Sequence, residues 1–203
     1  TTIEWYDFFL YGTAAALVFD KLFFPNADAT ASIMASFAVY AVGFFARPIG
    51  GIVFGHYGDR LGRKSVLVIT LMMIGISTTL IGVLPTYAQA GILAPILLIL
   101  LRLIQGFGVG GEWGGAVLMA VEHGQSGKRG FAASCVQAGV PVGFILAILV
   151  FKICSSMGEE SFLAWGWRIP FLLSIVLLGV GLFIRLHIME SPIFEASKNT
   201  EKT

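Results

Sequence analysis

The feature that most constrains this chain is a succession of apolar runs, each about as long as a lipid bilayer is thick. They fall at roughly 3–19, 32–55, 65–84, 92–120, 131–151 and 168–186. A helix rises about 1.5 Å per residue, so about 20 residues cross the ~30 Å hydrocarbon layer. All but the first run reach that length. Hydrocarbon offers no water to a bare N–H or C=O, so a run of this kind has to satisfy its backbone internally, as a helix. Barrel strands would show alternation over ~10 residues instead, and the runs do not alternate. Composition agrees: only 12% of residues are charged, against about 25% in soluble domains. Pro48, Pro95, Pro141 and Pro170 lie in or at the edges of these runs, which a helix bundle tolerates because neighbouring helices re-satisfy the freed groups. The expected fold is an all-α membrane protein, a six-helix transmembrane bundle over 1–188 followed by a polar tail at 189–203.

The net charge of +1 gives no basis for binding nucleic acid; the expected partner is the bilayer. Where the charges fall matters more. Arg60, Arg63, Lys64, Lys128, Arg129, Arg185, Lys198 and Lys202 lie at one set of helix ends, and only Lys21, Lys152 and Arg168 at the other. Basic residues stay in the cytoplasm, so the first set is expected inside, with both ends of the chain cytoplasmic. The sequence opens at Thr1, with no Met and already within an apolar run, and reads as a fragment. Cys135 and Cys154 fall about 28 Å apart on one helix, too far for a disulfide.

The stretch QGFGVGGEWGG, residues 105–115, contains Gly106, Gly108 and Gly111 in the spacing of a dinucleotide-binding loop. That loop needs a strand before it and an acidic residue about 20 positions on. Here the preceding run spans the membrane. The glycines read better as small-xxx-small pairs, Gly106/Gly110/Gly114 and Gly111/Gly115, that let two helices approach closely.

Several charged residues lie within the apolar runs, where each costs about 2.5–3.5 kcal/mol and needs a partner or a hydrated cavity. Arg102 falls ~15 Å into the fourth helix and Asp7 ~20 Å into the first, with Glu4 a turn further. Arg47 lies ~12 Å from the basic end of the second helix. Gln105 and Gln137 have similar depth. Glu4, Asp7 and Tyr11 share a helix face, Arg102 and Gln105 are a turn apart, and Tyr40 and Arg47 are seven residues apart. These groups are expected to converge on the middle and inner half of the bundle. They could form structural buried ion pairs, such as Asp7 with Arg102 or Arg47, or a water-filled path for substrate and proton. Glu112 falls ~15 Å beyond Arg102, placed either as a latch to a loop arginine or as a surface acid.

The loop GHYGDRLGRKS, residues 55–65, resembles the signature loop of the major facilitator superfamily through Gly55, Asp59, Arg60, Gly62, Arg63 and Lys64. Further stretches resemble the metabolite:proton symporter branch, which includes bacterial transporters of shikimate, α-ketoglutarate, citrate, and proline or betaine. They are EWYDFFLYG at 4–12, LFFP at 22–25, RPIGGIVFGHYGDRLGRK at 47–64, RLIQGFGVGGEWGGAVLMAVE at 102–122, WGWRIPF at 165–171 and ESPIFE at 190–195. The resemblance covers the chain and implies the amino-terminal half of a twelve-helix transporter in a bacterial inner membrane, its carboxy-terminal six-helix half absent here. It implies that the 55–65 loop is a latch between the two halves, with which Glu112 is grouped if it pairs with a loop arginine, and that Arg102 takes part in proton coupling. Asp7 or Glu4 is then the expected proton site. Arg102, Arg47, Tyr11, Gln105, Gln137 and Tyr40 are the expected substrate contacts, the arginines favouring a carboxylate. The coupling ion is the proton, and no cofactor or metal is expected. The sequence has no HExxH or GxSxG motif of a membrane hydrolase. An uncoupled facilitator and a substrate sensor on the same scaffold are the alternatives.

Overall fold

The structure is a computed structural model that describes residues 2–122 and 129–187. Helix α1 covers Thr2–Ala14 and continues through a π turn, Ala15–Phe19, and a last turn, Asp20–Phe23. It is followed by α2 (Ala29–Leu61), α3 (Arg63–Val83), α4 (Leu93–Glu122), α5 (Arg129–Ser155) and α6 (Arg168–His187). Short helical pieces link α3 to α4 (Tyr87–Ala90) and α5 to α6 (Glu159–Ser161, then Phe162–Gly166). The described residues contain no strand. Helices α2 to α6 each contain a stretch long and apolar enough to cross a membrane.

Pro48 and Pro141 sit inside α2 and α5 without ending them. Helix α2 runs beyond its apolar stretch as far as Leu61, and Gly55 is helical. The reversal into α3 is made at Gly62, whose φ of 98° is a conformation that side chains disfavour. Ahead of α4, Thr86 and Gln89 form a reciprocal capping box, the Thr86 N–H donating to Gln89 Oε1 at 3.1 Å. This satisfies donors that a short helix leaves bare.

Packing follows a pattern. Helix α2 lies against α4, α1 against α5, α3 against both α4 and α6, and α4 against α5. Exchanging α1–α3 with α4–α6 turns the α2–α4 contact into α5–α1 and leaves α3–α6 unchanged. That is the contact pattern of two inverted three-helix repeats.

Glycines set the closest crossing. A methyl at Gly106 would overlap the Gly43 backbone, one at Gly110 that of Arg47 and Gly51, and one at Gly50 that of Phe107. The glycines of the 105–115 stretch that face α2 therefore let two backbones meet without side chains between them. Gly114 and Gly115 are outside the residues whose side-chain surroundings are described.

Tyr6, Leu10, Tyr11, Phe19, Phe23, Trp167 and Phe171 form a buried core, with Phe19 edge-on to Trp167 at 6.1 Å. The outer faces are apolar as well: Phe45 is 78% exposed and Ile52 76%. In water each such side chain would forfeit about 1.5–3 kcal/mol of burial; against acyl chains nothing is lost.

Candidate functional site

The apolar helices carry a connected run of polar side chains at mid-length. Asp7 on α1 is 1% exposed, and Arg102 on α4 is 2% exposed. A bare carboxylate or guanidinium buried to that degree is costly unless it is hydrogen-bonded. Asp7 accepts two bonds, from Thr78 Oγ1 on α3 to Oδ2 at 2.9 Å and from Ser174 Oγ on α6 to Oδ1 at 2.8 Å. Thr78 Oγ1 accepts from Gln105 Nε2 on α4 at 2.8 Å. Gln105 Oε1 in turn accepts from Arg102 Nη1 at 2.5 Å. Asp7 and Arg102 are thus joined through Thr78 and Gln105 rather than as a direct ion pair.

The remaining surface of the Arg102 guanidinium rests on aromatic rings. Its central carbon lies 4.3 Å from the Tyr11 ring and 4.8 Å from the Tyr40 ring, which stack on each other at 5.8 Å. Desolvated cation–π contacts of this kind contribute about 2 kcal/mol. Gly43 makes the position possible, since a methyl there would lie 2.7 Å from Arg102 Nε. Arg102 Nε has no hydrogen-bond partner among the described residues.

Arg47 stands in a second group. Its guanidinium lies 4.8 Å from the Phe8 ring and 4.6 Å from the Phe44 ring, and its Nε is without a hydrogen-bond partner among the described residues. Arg47, Phe8 and Tyr40 are half-buried and Phe44 is exposed. This guanidinium is therefore held by rings of α1 and α2 and is partly open, in a setting where a cation needs a partner or water. Elsewhere between α2 and α4, a groove of about 440 Å³ lined by Phe45, Ile49, Leu103 and Phe107 is almost wholly apolar.

Of the residues singled out from the sequence, Asp7, Arg102, Gln105, Tyr11 and Tyr40 come together. Glu4 is buried a turn away, and its Oε2 has no hydrogen-bond partner among the described residues. Gln137 is exposed on α5. Glu112 is fully buried and pairs with Arg185 near the end of α6. Arg185 also donates to the Leu67 carbonyl on α3, and Lys64 Nζ donates to the Leu186 carbonyl at 2.9 Å. These contacts tie α3, α4 and α6 together at the basic end. Arg60 is exposed and Arg63 half-buried there, while the side chain of Asp59 and the tail at 189–203 lie outside the described residues. Thr78 and Ser174 are not apparent from the sequence: Thr78 is the middle of three consecutive hydroxyl residues, Ser77 to Thr79, and Ser174 is a single hydroxyl in an apolar run.

At the opposite end Lys21 Nζ meets Glu159 Oε1 at 2.8 Å, joining the end of α1 to the α5–α6 connection. The contact raises the lysine above its usual range and holds the exposed carboxyl below its own.

Residues 1–203 match the family described as Sugar (and other) transporter. The chain belongs to this family, within the major facilitator superfamily. It is 50% identical to the inner membrane metabolite transport protein YhjE of Escherichia coli (strain K12), over 100% of this chain and 46% of that protein. It is 51% identical to the shikimate transporter of the same strain, over 97% of this chain and 45% of that one. The chain therefore spans about half the length of these relatives. Among solved structures, the proton:xylose symporter XylE bound to 6-bromo-6-deoxy-D-glucose superposes with a TM-score of 0.82 at 20% identity, over 99% of this chain and 45% of that one. At that identity the likeness is one of fold. Members of this family are transporters rather than enzymes, and the polar run lies within a transporter scaffold.

Proposed function

We propose that the chain is the amino-terminal half of a twelve-helix, proton-coupled symporter that imports a small organic acid or osmolyte by alternating access. The observation that carries this reading is the Asp7–Thr78–Gln105–Arg102 connection, a titratable carboxyl joined to a cation deep within apolar helices. Intramembrane ionisable groups that pair with one another mark ion and substrate paths, and transporters of this architecture bind at mid-depth between their halves. Asp7 takes the proton. Arg47, which is partly open, meets the substrate carboxylate, and Arg102 joins it as the site closes. Inward movement of the proton supplies about 2.3 kcal/mol per charge per 100 mV. The basic helix ends face the cytoplasm of a bacterial cell, the membrane is the inner one, and the second six-helix half completes the site. The names of the 50%-identical metabolite transport protein and the 51%-identical shikimate transporter support the substrate class.

The test is uptake by the full-length protein in proteoliposomes under an imposed pH gradient, using labelled shikimate, α-ketoglutarate and glycine betaine. Accumulation of one of them that a protonophore collapses, and that Asp7→Asn abolishes, is the expected result. Uptake indifferent to the protonophore would identify an uncoupled facilitator, and binding without movement a sensor.

A further inference from the structure

The connection between Asp7 and Arg102 contains an asymmetry. The Thr78 hydroxyl has one hydrogen to give and two acceptors in reach, Asp7 Oδ2 at 2.9 Å and the Ile74 carbonyl at 2.9 Å. While it gives that hydrogen to either, its oxygen accepts from Gln105 Nε2 at 2.8 Å. Ser174, the other donor to Asp7, has no such choice. Its hydroxyl bonds Asp7 at 2.8 Å, and the Pro170 carbonyl one turn back already accepts the Tyr6 hydroxyl at 2.8 Å as well as its own helix N–H.

We propose that Thr78 is the switching member of a relay through which the protonation state of Asp7 sets how firmly Gln105 holds Arg102. The proposal deepens the reading of Asp7 as the proton site and rests on it. When Asp7 is ionised it can only accept. Ser174 and Thr78 both donate to it, and the Thr78 oxygen, polarised toward the carboxylate, is a strong acceptor for Gln105. Hydrogen bonds in such chains strengthen one another, so the Gln105 carbonyl grips Arg102 tightly. When a proton arrives on Oδ2, Asp7 becomes a donor and bonds the Thr78 oxygen. The Thr78 hydrogen turns to the Ile74 carbonyl, one proton having been gained and one hydrogen bond redirected. The Thr78 oxygen then serves two donors, its bond to Gln105 weakens, and Arg102 Nη1 is released for an incoming anion. Proton and anion binding then favour each other, which is the linkage that symport requires. The proton enters on the Thr78 side because only that hydroxyl has a second acceptor.

Other charges face Asp7 as well. On α1 this is Tyr6, with Glu4 a turn away, and on α4 Arg102 and Glu112. Arg47 of α2 and Arg185 of α6 face Glu4, and Cys154 of α5 faces Tyr6. The charges of α3, α5 and α6 lie toward the helix ends: Arg63 and Lys64 on α3, Arg129 and Lys152 on α5, and Arg168 and Arg185 on α6. Of all these groups, Arg102 alone is reached through the Thr78 hydroxyl by hydrogen bonds that the structure records.

The experiment is a double-mutant cycle in the full-length transporter without substrate. The readout is the pH profile of carbodiimide labelling at Asp7, which follows its protonated form, quantified by peptide mass spectrometry. Gln105 bonds the Thr78 hydroxyl rather than Asp7. Even so, Gln105→Leu is expected to move the labelling midpoint upward by about half a pH unit, as loss of a hydrogen bond to the charged form does. That shift is expected to vanish in the Thr78→Val background and to persist in Thr78→Ser. An equal shift with and without the Thr78 hydroxyl, or no shift in either, overturns the relay. Where Thr78→Val does not assemble, Thr78→Ala takes its place, with the same two readings. Failure of Asp7→Asn to alter proton-driven uptake is a separate result: it would remove Asp7 as the proton site while leaving the labelling cycle to decide the relay.

Discussion

Replacing Gly106 by alanine adds one methyl at the closest crossing in the molecule. That methyl carbon would lie 2.8 Å from both the carbonyl carbon and the Cα of Gly43. Carbon atoms rest at about 3.5–4.0 Å, so the shortfall is about 1 Å, and backbone rather than a flexible side chain has to yield. A separation of that size forfeits a quarter to a half of each affected contact, and overpacking of this kind costs about 1–3 kcal/mol. The ratio of folded to unfolded protein should fall by about 5- to 150-fold, read as a lower midpoint in a dodecylsulfate titration followed by circular dichroism. Gly179→Ala is the matched control. Gly179 is exposed on α6, and a methyl there would meet nothing within 4 Å. That substitution should be neutral or stabilising by up to about 1 kcal/mol through backbone entropy. Gly106 also adjoins Gln105, so a 1 Å shift of α4 would stretch the 2.8 Å bond to Thr78 beyond hydrogen-bond range. Equal effects of the two substitutions would refute the claim that the α2–α4 crossing depends on the missing side chain.

Three further outcomes follow from contacts described above. Arg185→Met removes the cation from the buried pair with Glu112 and should cost about 3–5 kcal/mol; adding Glu112→Leu should recover most of it, both read in the same titration. Tyr6→Phe deletes the 2.8 Å bond to the Pro170 carbonyl and should lower stability by about 1 kcal/mol, with helix content unchanged by circular dichroism. Because Lys21 holds the Glu159 carboxyl low, their attraction is present above the ordinary carboxylate pKa and is lost as pH falls through the depressed value. Lys21→Met, or molar salt, should return the Glu159 titration to the usual range, followed by side-chain carbon NMR.

The helices were legible because lipid thickness imposes a length on apolar runs, but apolarity reports where the hydrocarbon ends, not where the helix does. Thus α2 continues through His56, Tyr57 and Arg60 to Leu61. Asp7, Arg102 and Gln105 stood out because burying them is costly and demands partners. Thr78 and Ser174 did not, since a hydroxyl in a helix can satisfy itself on the carbonyl one turn back, as Thr78 does with Ile74. Periodicity gives faces of one helix, not contacts between helices. It put Tyr40 and Arg47 in phase without showing that Tyr40 lies under Arg102 while Arg47 rests on Phe8 and Phe44. Nothing local to Glu112 points to Arg185, because only the packing of α3, α4 and α6 brings them together.

The glycine crossing between α2 and α4 has a mechanical consequence. Knobs and notches only a methyl deep leave no play. Sliding one helix past the other by a single residue, about 1.5 Å, would carry the carbonyls of Gly43, Arg47 and Phe107 out of their glycine notches and onto side chains. These two rods are dovetailed, and whatever rocking the assembly performs has to carry them as one plank, with the bending taken up at other seams.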